Sequence, residues 1–133
     1  MSTPTNALCA SKSLEFEIIA ADGRARATRL AFNSCKCFSP MFMPVGTQGA
    51  VRAVSPRHVV ETNTQILLAN TYHLSQRPGE DLVAKHGGLH GFMGVDLPIL
   101  TDSGGYQVFS LKEFRTISEE GVRFRSPKDG EYR

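Results

Sequence analysis

The chain has 133 residues, 41% of them hydrophobic, and its 15 basic and 13 acidic side chains leave a net charge of +2. That length suits one modest domain. Charges so nearly balanced exclude a global positive field, so any nucleic-acid partner would have to be met by a local basic patch.

Met1 to Ser13 is polar and small. It lacks the apolar stretch of a signal peptide and is expected to be a disordered tail. Elsewhere no apolar run reaches the roughly 20 residues of a membrane-spanning helix. Leu14 to Ala20 and Arg26 to Phe32 alternate around the turn Ala21-Asp22-Gly23-Arg24, which predicts a β-hairpin. The cysteines are Cys9, Cys35 and Cys37. An odd, small number favours a reducing, cytoplasmic setting. Cys35-Lys36-Cys37 offers two metal ligands where a structural zinc site takes four, so ordinary thiols are expected there.

Pro40 to Gly46 reads as a buried strand that ends in a flexible loop, Gly46-Thr47-Gln48-Gly49. Ser55 as N-cap and Pro56 as first helical residue open a helix running to about Thr62. Thr64 to Ala69 is the next apolar strand, leading into the polar and aromatic cluster Asn70-Thr71-Tyr72-His73. Arg77-Pro78-Gly79 breaks the chain, Glu80 to His86 forms a short helix stopped by Gly87 and Gly88, and Gly91-Phe92-Met93 is a small apolar linker. Leu97 to Leu100 has the composition of a strand buried on both faces. Phe114 to Ile117 and Val122 to Arg125 form a second hairpin, followed by a turn at Asp129-Gly130. The fold class is therefore α/β: an antiparallel hairpin, then strand, helix, strand, helix, strand, the alternation of parallel βα units. Three such strands are fewer than the eight of a (β/α)₈ barrel, which takes roughly 250 residues. A small open sheet is the alternative.

Ligands of parallel sheets bind at the C-terminal strand ends. Three such ends fall at Val45-Gly46-Thr47-Gln48, at Asn70 to His73, and at Asp102-Ser103-Gly104-Gly105-Tyr106. The third has the most chemistry. An ionised Asp102 can accept two N–H donors side by side, as on the Watson–Crick edge of guanine. The glycines let backbone approach a ligand, and the Tyr106 ring can stack on a base. Asp-Ser-Gly-Gly is also ordinary turn chemistry, Asn70 can equally cap a helix, and His73 can be a packing histidine. Polar groups on three neighbouring strand ends favour a site.

The runs Phe42 to Gly49, Leu68 to Leu74 with Arg77-Pro78-Gly79, His86 to Met93, and Leu100 to Leu111 resemble the N-terminal part of the tRNA-guanine transglycosylase, or queuine tRNA-ribosyltransferase, family. The resemblance covers residues 14–133. It implies the first βα units of a (β/α)₈ barrel behind an N-terminal antiparallel sheet, with the barrel incomplete. It implies a pentosyltransferase that exchanges guanine at the tRNA anticodon wobble position for a 7-deazaguanine base in queuosine biosynthesis. In such an enzyme Asp102 would be proton acceptor and base ligand. Ser103, Gly104, Gly105 and Tyr106 would complete the base-binding loop, with Tyr106 over the base. Asn70 and Val45 would face the ribose or the neighbouring nucleotide. The extrusion of a base from its stack calls for such an edge reader and ring.

The partners implied are tRNA and a guanine or deazaguanine base, with a possible homo- or heterodimer and no membrane. The family's nucleophilic aspartate and its cysteine-rich structural zinc motif are expected beyond Arg133. No cofactor is therefore expected in these residues, and this truncated portion is expected to be inactive alone. A non-catalytic remnant, a partner-binding subunit and an archaeosine-type transglycosylase are the alternatives.

Overall fold

The computed structural model describes residues 14–32, 35–110, 115–127 and 129–132. The tail expected to be disordered, Met1 to Ser13, lies outside them. The chain divides into two compact units, Met1–Phe42 and Met43–Arg133.

The first unit is a three-stranded antiparallel sheet of β1 (Glu15–Asp22), β2 (Ala25–Phe32) and β3 (Cys35–Ser39), in that order. The hairpin β1–β2 forms where the alternation predicts it, although every residue of β1 is exposed and the register shifts between Ile18 and Ala20. β3 is not among the expected elements, because its short run carries no signal beyond two ordinary thiols. Leu30 faces Cys37 and Thr28 faces Ser39, and the two hydroxyls of the latter pair are hydrogen-bonded. Glu17 and Arg29 pair across the alternate positions, with Nη2 and Oε2 2.7 Å apart. The Cys37 side chain is buried; burial and, secondarily, Cys35 push its thiol up, so it stays protonated and a poor nucleophile.

The second unit is built on β4 (Leu67–Asn70) and β5 (Ile99–Asp102), which run parallel. The expected strand at Pro40 to Gly46 is reduced to one parallel bridge, Val45 to Leu68. Gly46 N donates to Leu68 O at 2.7 Å and Leu68 N donates to Pro44 O at 3.0 Å. Pro44 has no N–H, so the ladder cannot gain its next bond on the N-terminal side. Nor is the segment buried: Phe42 is 80% exposed. The loop after it is packed, contrary to the flexibility expected. A Cβ on Gly49, at φ +73°, would lie 2.5 Å from the Phe92 ring.

Helix α1 (Pro56–Glu61) begins as read: the Ser55 side chain accepts from His58 N at 3.3 Å. β4 starts later than expected, because Asn63 takes a left-handed turn at φ 57° before the chain extends. Between β4 and β5 come α2 (Thr71–Gln76), α3 (Glu80–Lys85) and α4 (Gly88–Met93). The Gly91-Phe92-Met93 stretch is thus helix, and not a linker. Gly87 in the left-handed conformation redirects the chain, and α4 then folds back closely enough that a Cβ on Gly91 would meet His86 O at 2.1 Å. This places Met93 in a core with Val59, Leu67 and Val95, flanked by Leu89, Phe92, Leu97 and Ile99. β5 is not buried on both faces. Among the described residues it pairs only with β4, and Leu100 is 43% exposed.

Gly105, expected in a turn, opens α5 (Gly105–Ser110). The second hairpin forms as expected from β6 (Arg115–Ser118) and β7 (Gly121–Phe124). The Asp129-Gly130 turn closes with Gly130 N donating to Ser126 O at 2.8 Å. No helix among the described residues is long and apolar enough to cross a membrane.

Gly49→Ala should cost about 2 kcal/mol, from an unfavourable φ and a methyl driven into the Phe92 ring. The midpoint of urea unfolding reads this, and adding Phe92→Leu should recover part of the loss. An unchanged midpoint would show that the loop is not held against α4.

Candidate functional site

Parallel pairing of β4 with β5 sets Asn70 directly beside Asp102 at the strand ends. Leu68 and Leu100 pair two residues earlier, and Val45 bridges Leu68 on the other side. Side chains two apart on a strand share a face. Val45, Leu68 and Leu100 therefore form an apolar row beneath the polar pair Asn70 and Asp102. Val45 is 46% exposed. Leu68 and Leu100 are not among the expected site residues. The strand period of two, counted back from Asn70 and Asp102, is the signal that points to them.

Asp102 is half-buried and held by three N–H donors. Asn70 Nδ2 donates to Oδ2 at 2.7 Å, while Thr71 N and Gly104 N each donate to Oδ1 at 3.2 Å. The Thr71 hydroxyl donates to the Asp102 carbonyl. A carboxylate has about four lone-pair positions. The remaining one is on Oδ2, the oxygen shared with Asn70.

Asn70 does two jobs that the sequence presents as alternatives. It is buried, and its Oδ1 accepts from His73 N at 2.9 Å, capping α2, while its amide nitrogen holds Asp102. Thr71, which carries no signal of its own in the sequence, contributes backbone and hydroxyl to the same carboxylate residue. Only the register of β4 against β5 brings it there.

The loop after Asp102 is less open than its glycines suggest. Gly104 is buried at φ +67°, and a Cβ there would lie 2.7 Å from Tyr72 Cβ. Its bareness admits Tyr72, whose ring in turn meets Phe124 at 5.3 Å between centroids. Gly105 differs: among the described residues a Cβ there would find only the Ser103 hydroxyl, at 3.4 Å. Ser103 Oγ accepts from Gly105 N at 3.4 Å, a local turn bond. Tyr106, in the first turn of α5, is 81% exposed, and its side chain makes no hydrogen bond or ring contact with a described residue.

Among the described residues no group of three or more His, Cys, Asp or Glu side chains could hold a metal ion. The cluster can accept N–H donors at a fixed carboxylate, above an apolar floor, beside one exposed phenol.

Asn70→Ala removes both a helix cap and a charge-assisted hydrogen bond, so it should lower stability by about 2 kcal/mol. Gly104→Ala should cost at least as much, through its clash with Tyr72 and its positive φ. Chemical denaturation of both variants checks this. A neutral Asn70→Ala would mean that the Asn70–Asp102 bond does not hold the rim together.

A family model described as queuine tRNA-ribosyltransferase matches residues 22–133. A queuine tRNA-ribosyltransferase of Herminiimonas arsenicoxydans is 57% identical over 118 residues, covering 89% of this chain and 32% of the relative. Relatives of the same name from Janthinobacterium sp. (strain Marseille) and Shewanella sp. (strain W3-18-1) are each 55% identical over the same shares. The chain spans about a third of the length of the curated relatives it matches. With a family model matching most of its residues, and identity this high along the matched span, the chain belongs to the queuine tRNA-ribosyltransferase family.

Proposed function

We propose that this chain supplies the base-reading rim of a tRNA-guanine transglycosylase, a pentosyltransferase acting in the cytoplasm. Its substrate would be tRNA, and it would exchange the wobble guanine of the anticodon for a 7-deazaguanine base. The observation that supports this most is the Asp102 carboxylate, fixed at a parallel strand end by Asn70, Thr71 and Gly104. The Val45 segment, β4 and β5 run parallel in chain order. On this reading they are successive staves of a (β/α)₈ barrel, with Asp102 on the rim where barrel enzymes keep their chemistry.

In this proposal Asp102 is catalytic residue and base ligand together. It accepts N–H donors of the bound base and takes up the proton that the incoming base would release as its bond to ribose C1′ forms and the covalent bond from C1′ to the family's nucleophilic aspartate breaks. With Oδ1 already holding two backbone donors, the base edge is received at Oδ2, where Asn70 Nδ2 must share or yield its place. Tyr106 then covers the base, Ser103 to Gly105 border it, and Asn70 and Val45 lie toward the ribose or the next nucleotide. The nucleophilic aspartate and structural zinc of the family are expected outside these 133 residues. Exchange would therefore require the remainder of a full-length relative.

Calorimetry of the chain with guanine tests the reading. Asp102→Asn keeps the shape but removes the charge, and should weaken guanine binding about 10-fold or more, the effect of losing a charge-assisted pair of bonds. Far-UV circular dichroism should be unchanged. Equal affinity of the two proteins would overturn the role of Asp102. Labelled guanine should not enter tRNA with this chain alone, and incorporation would show that the expected additional residues are dispensable.

A further inference from the structure

The hairpin β6–β7 is two-faced. Residues paired across it share a side: Arg115 with Phe124 and Ile117 with Val122 on one, Thr116 with Arg123 on the other. The first side is an anchor. Phe124 is buried against Tyr72, and Arg115 donates through Nη1 to Val108 O at 2.7 Å while its guanidinium lies over Phe109. Tyr72 in turn fills the space left by Gly104, whose N–H holds Asp102. The hairpin is thus tied to the Asp102 rim by Phe124 on one strand and Arg115 on the other.

The second side continues from Arg123 to Arg125, which bridges to Tyr132. Arg123 and Arg125 are exposed, and Tyr132 is 63% exposed. The Arg123 guanidinium lies 5.0 Å from the centre of the Tyr132 ring, and Arg125 Nε donates to Gly130 O at 3.0 Å. The ion pairs among the described residues are Glu17–Arg29 and Arg57–Glu61, so no carboxylate there pairs with Arg123 or Arg125. The nearby acids stand in turns: Glu119 and Glu120 at the hairpin tip, Asp129 and Glu131 around Gly130. Asp129 Oδ1 is engaged by Glu131 N at 3.0 Å.

We propose that Arg123, Arg125 and Tyr132 form a platform for single-stranded RNA. The two guanidiniums would meet phosphates, and the phenol would take a stacked base. Two cations beside one aromatic ring, the ring on the segment bridged to their strand, match the alternation of charge and π-surface along an unpaired nucleic-acid strand. An acidic protein segment would use the charges but not the ring. The proposal rests on the reading of the rim as a tRNA site, because it places the nucleotides next to the extruded base on this hairpin.

A fluorescent uridine-only 12-mer tests it by anisotropy across a salt series. It presents no guanine, so the result does not depend on base reading by Asp102, which the guanine calorimetry tests separately. R123Q/R125Q should weaken binding about 10-fold at low salt and flatten the slope of log affinity against log salt by about 1.4, or ~0.7 for each phosphate no longer neutralised. Tyr132→Leu should weaken binding about 5-fold or more with the slope unchanged. R123K/R125K keeps the charge, should preserve the slope, and carries the test with Tyr132→Leu should the glutamine variant not fold. Failure of the unsubstituted chain to bind the oligonucleotide would overturn the proposal, as would binding insensitive to R123Q/R125Q or to Tyr132→Leu. So would polyglutamate binding of equal strength that ignores Tyr132→Leu, which would assign the face to an acidic protein.

Discussion

The hydrogen bond from Asn70 to Asp102 joins the two strand ends on which the site is built. It is charge-assisted, short and largely withdrawn from water, the circumstances in which such a bond is strong and its loss costly. Through it the end of β4, the N-terminus of α2 and the end of β5 become one hydrogen-bonded assembly. Asn70 is turned so that its oxygen faces the helix and its nitrogen faces the carboxylate. That leaves it no alternative orientation that keeps both bonds.

Close approach of backbone is the second organising constraint. At Gly49 and Gly104 the missing side chain makes room for a ring or a backbone from a neighbouring helix, Phe92 in one case and Tyr72 in the other. Both glycines also have positive φ, so each serves conformation and packing together. The loops at the strand ends are thus pinned from behind, by α4 and α2. A rim held this way keeps its polar groups in place without a ligand, which lowers the ordering cost when one binds.

The position of Tyr72 extends this arrangement outward. It stands between the Gly104 loop and Phe124 of the second hairpin, so the hairpin and the carboxylate share a support. Tyr72 therefore has a packing role, while Tyr106 is the ring left open to solvent. Two tyrosines on neighbouring strand ends, similar in sequence context, are sorted into support and surface by which one meets a glycine.

By itself the sequence determined the elements with local causes. Alternation marked the hairpins β1–β2 and β6–β7, the Ser55-Pro56 pair started α1, and the apolar run into Asp102 located β5 and its acid. It was also enough for the family, because the runs around Asn70 and Asp102 are long and distinctive. It misjudged features whose outcome depends on how segments pack. Pro40 to Gly46 has strand composition, yet its prolines deny it donors and its one bridge depends on Leu68. Gly91 to Met93 looks like a linker until α4 folds back on His86. Leu100 looks buried on both faces, but among the described residues only β4 pairs beside it. That Asn70 both caps α2 and grips Asp102, that Thr71 joins them, and that Gly104 serves Tyr72 were decided only by tertiary structure. A parallel register places residues 32 positions apart side by side, and no local pattern of residues encodes which strand end will meet which.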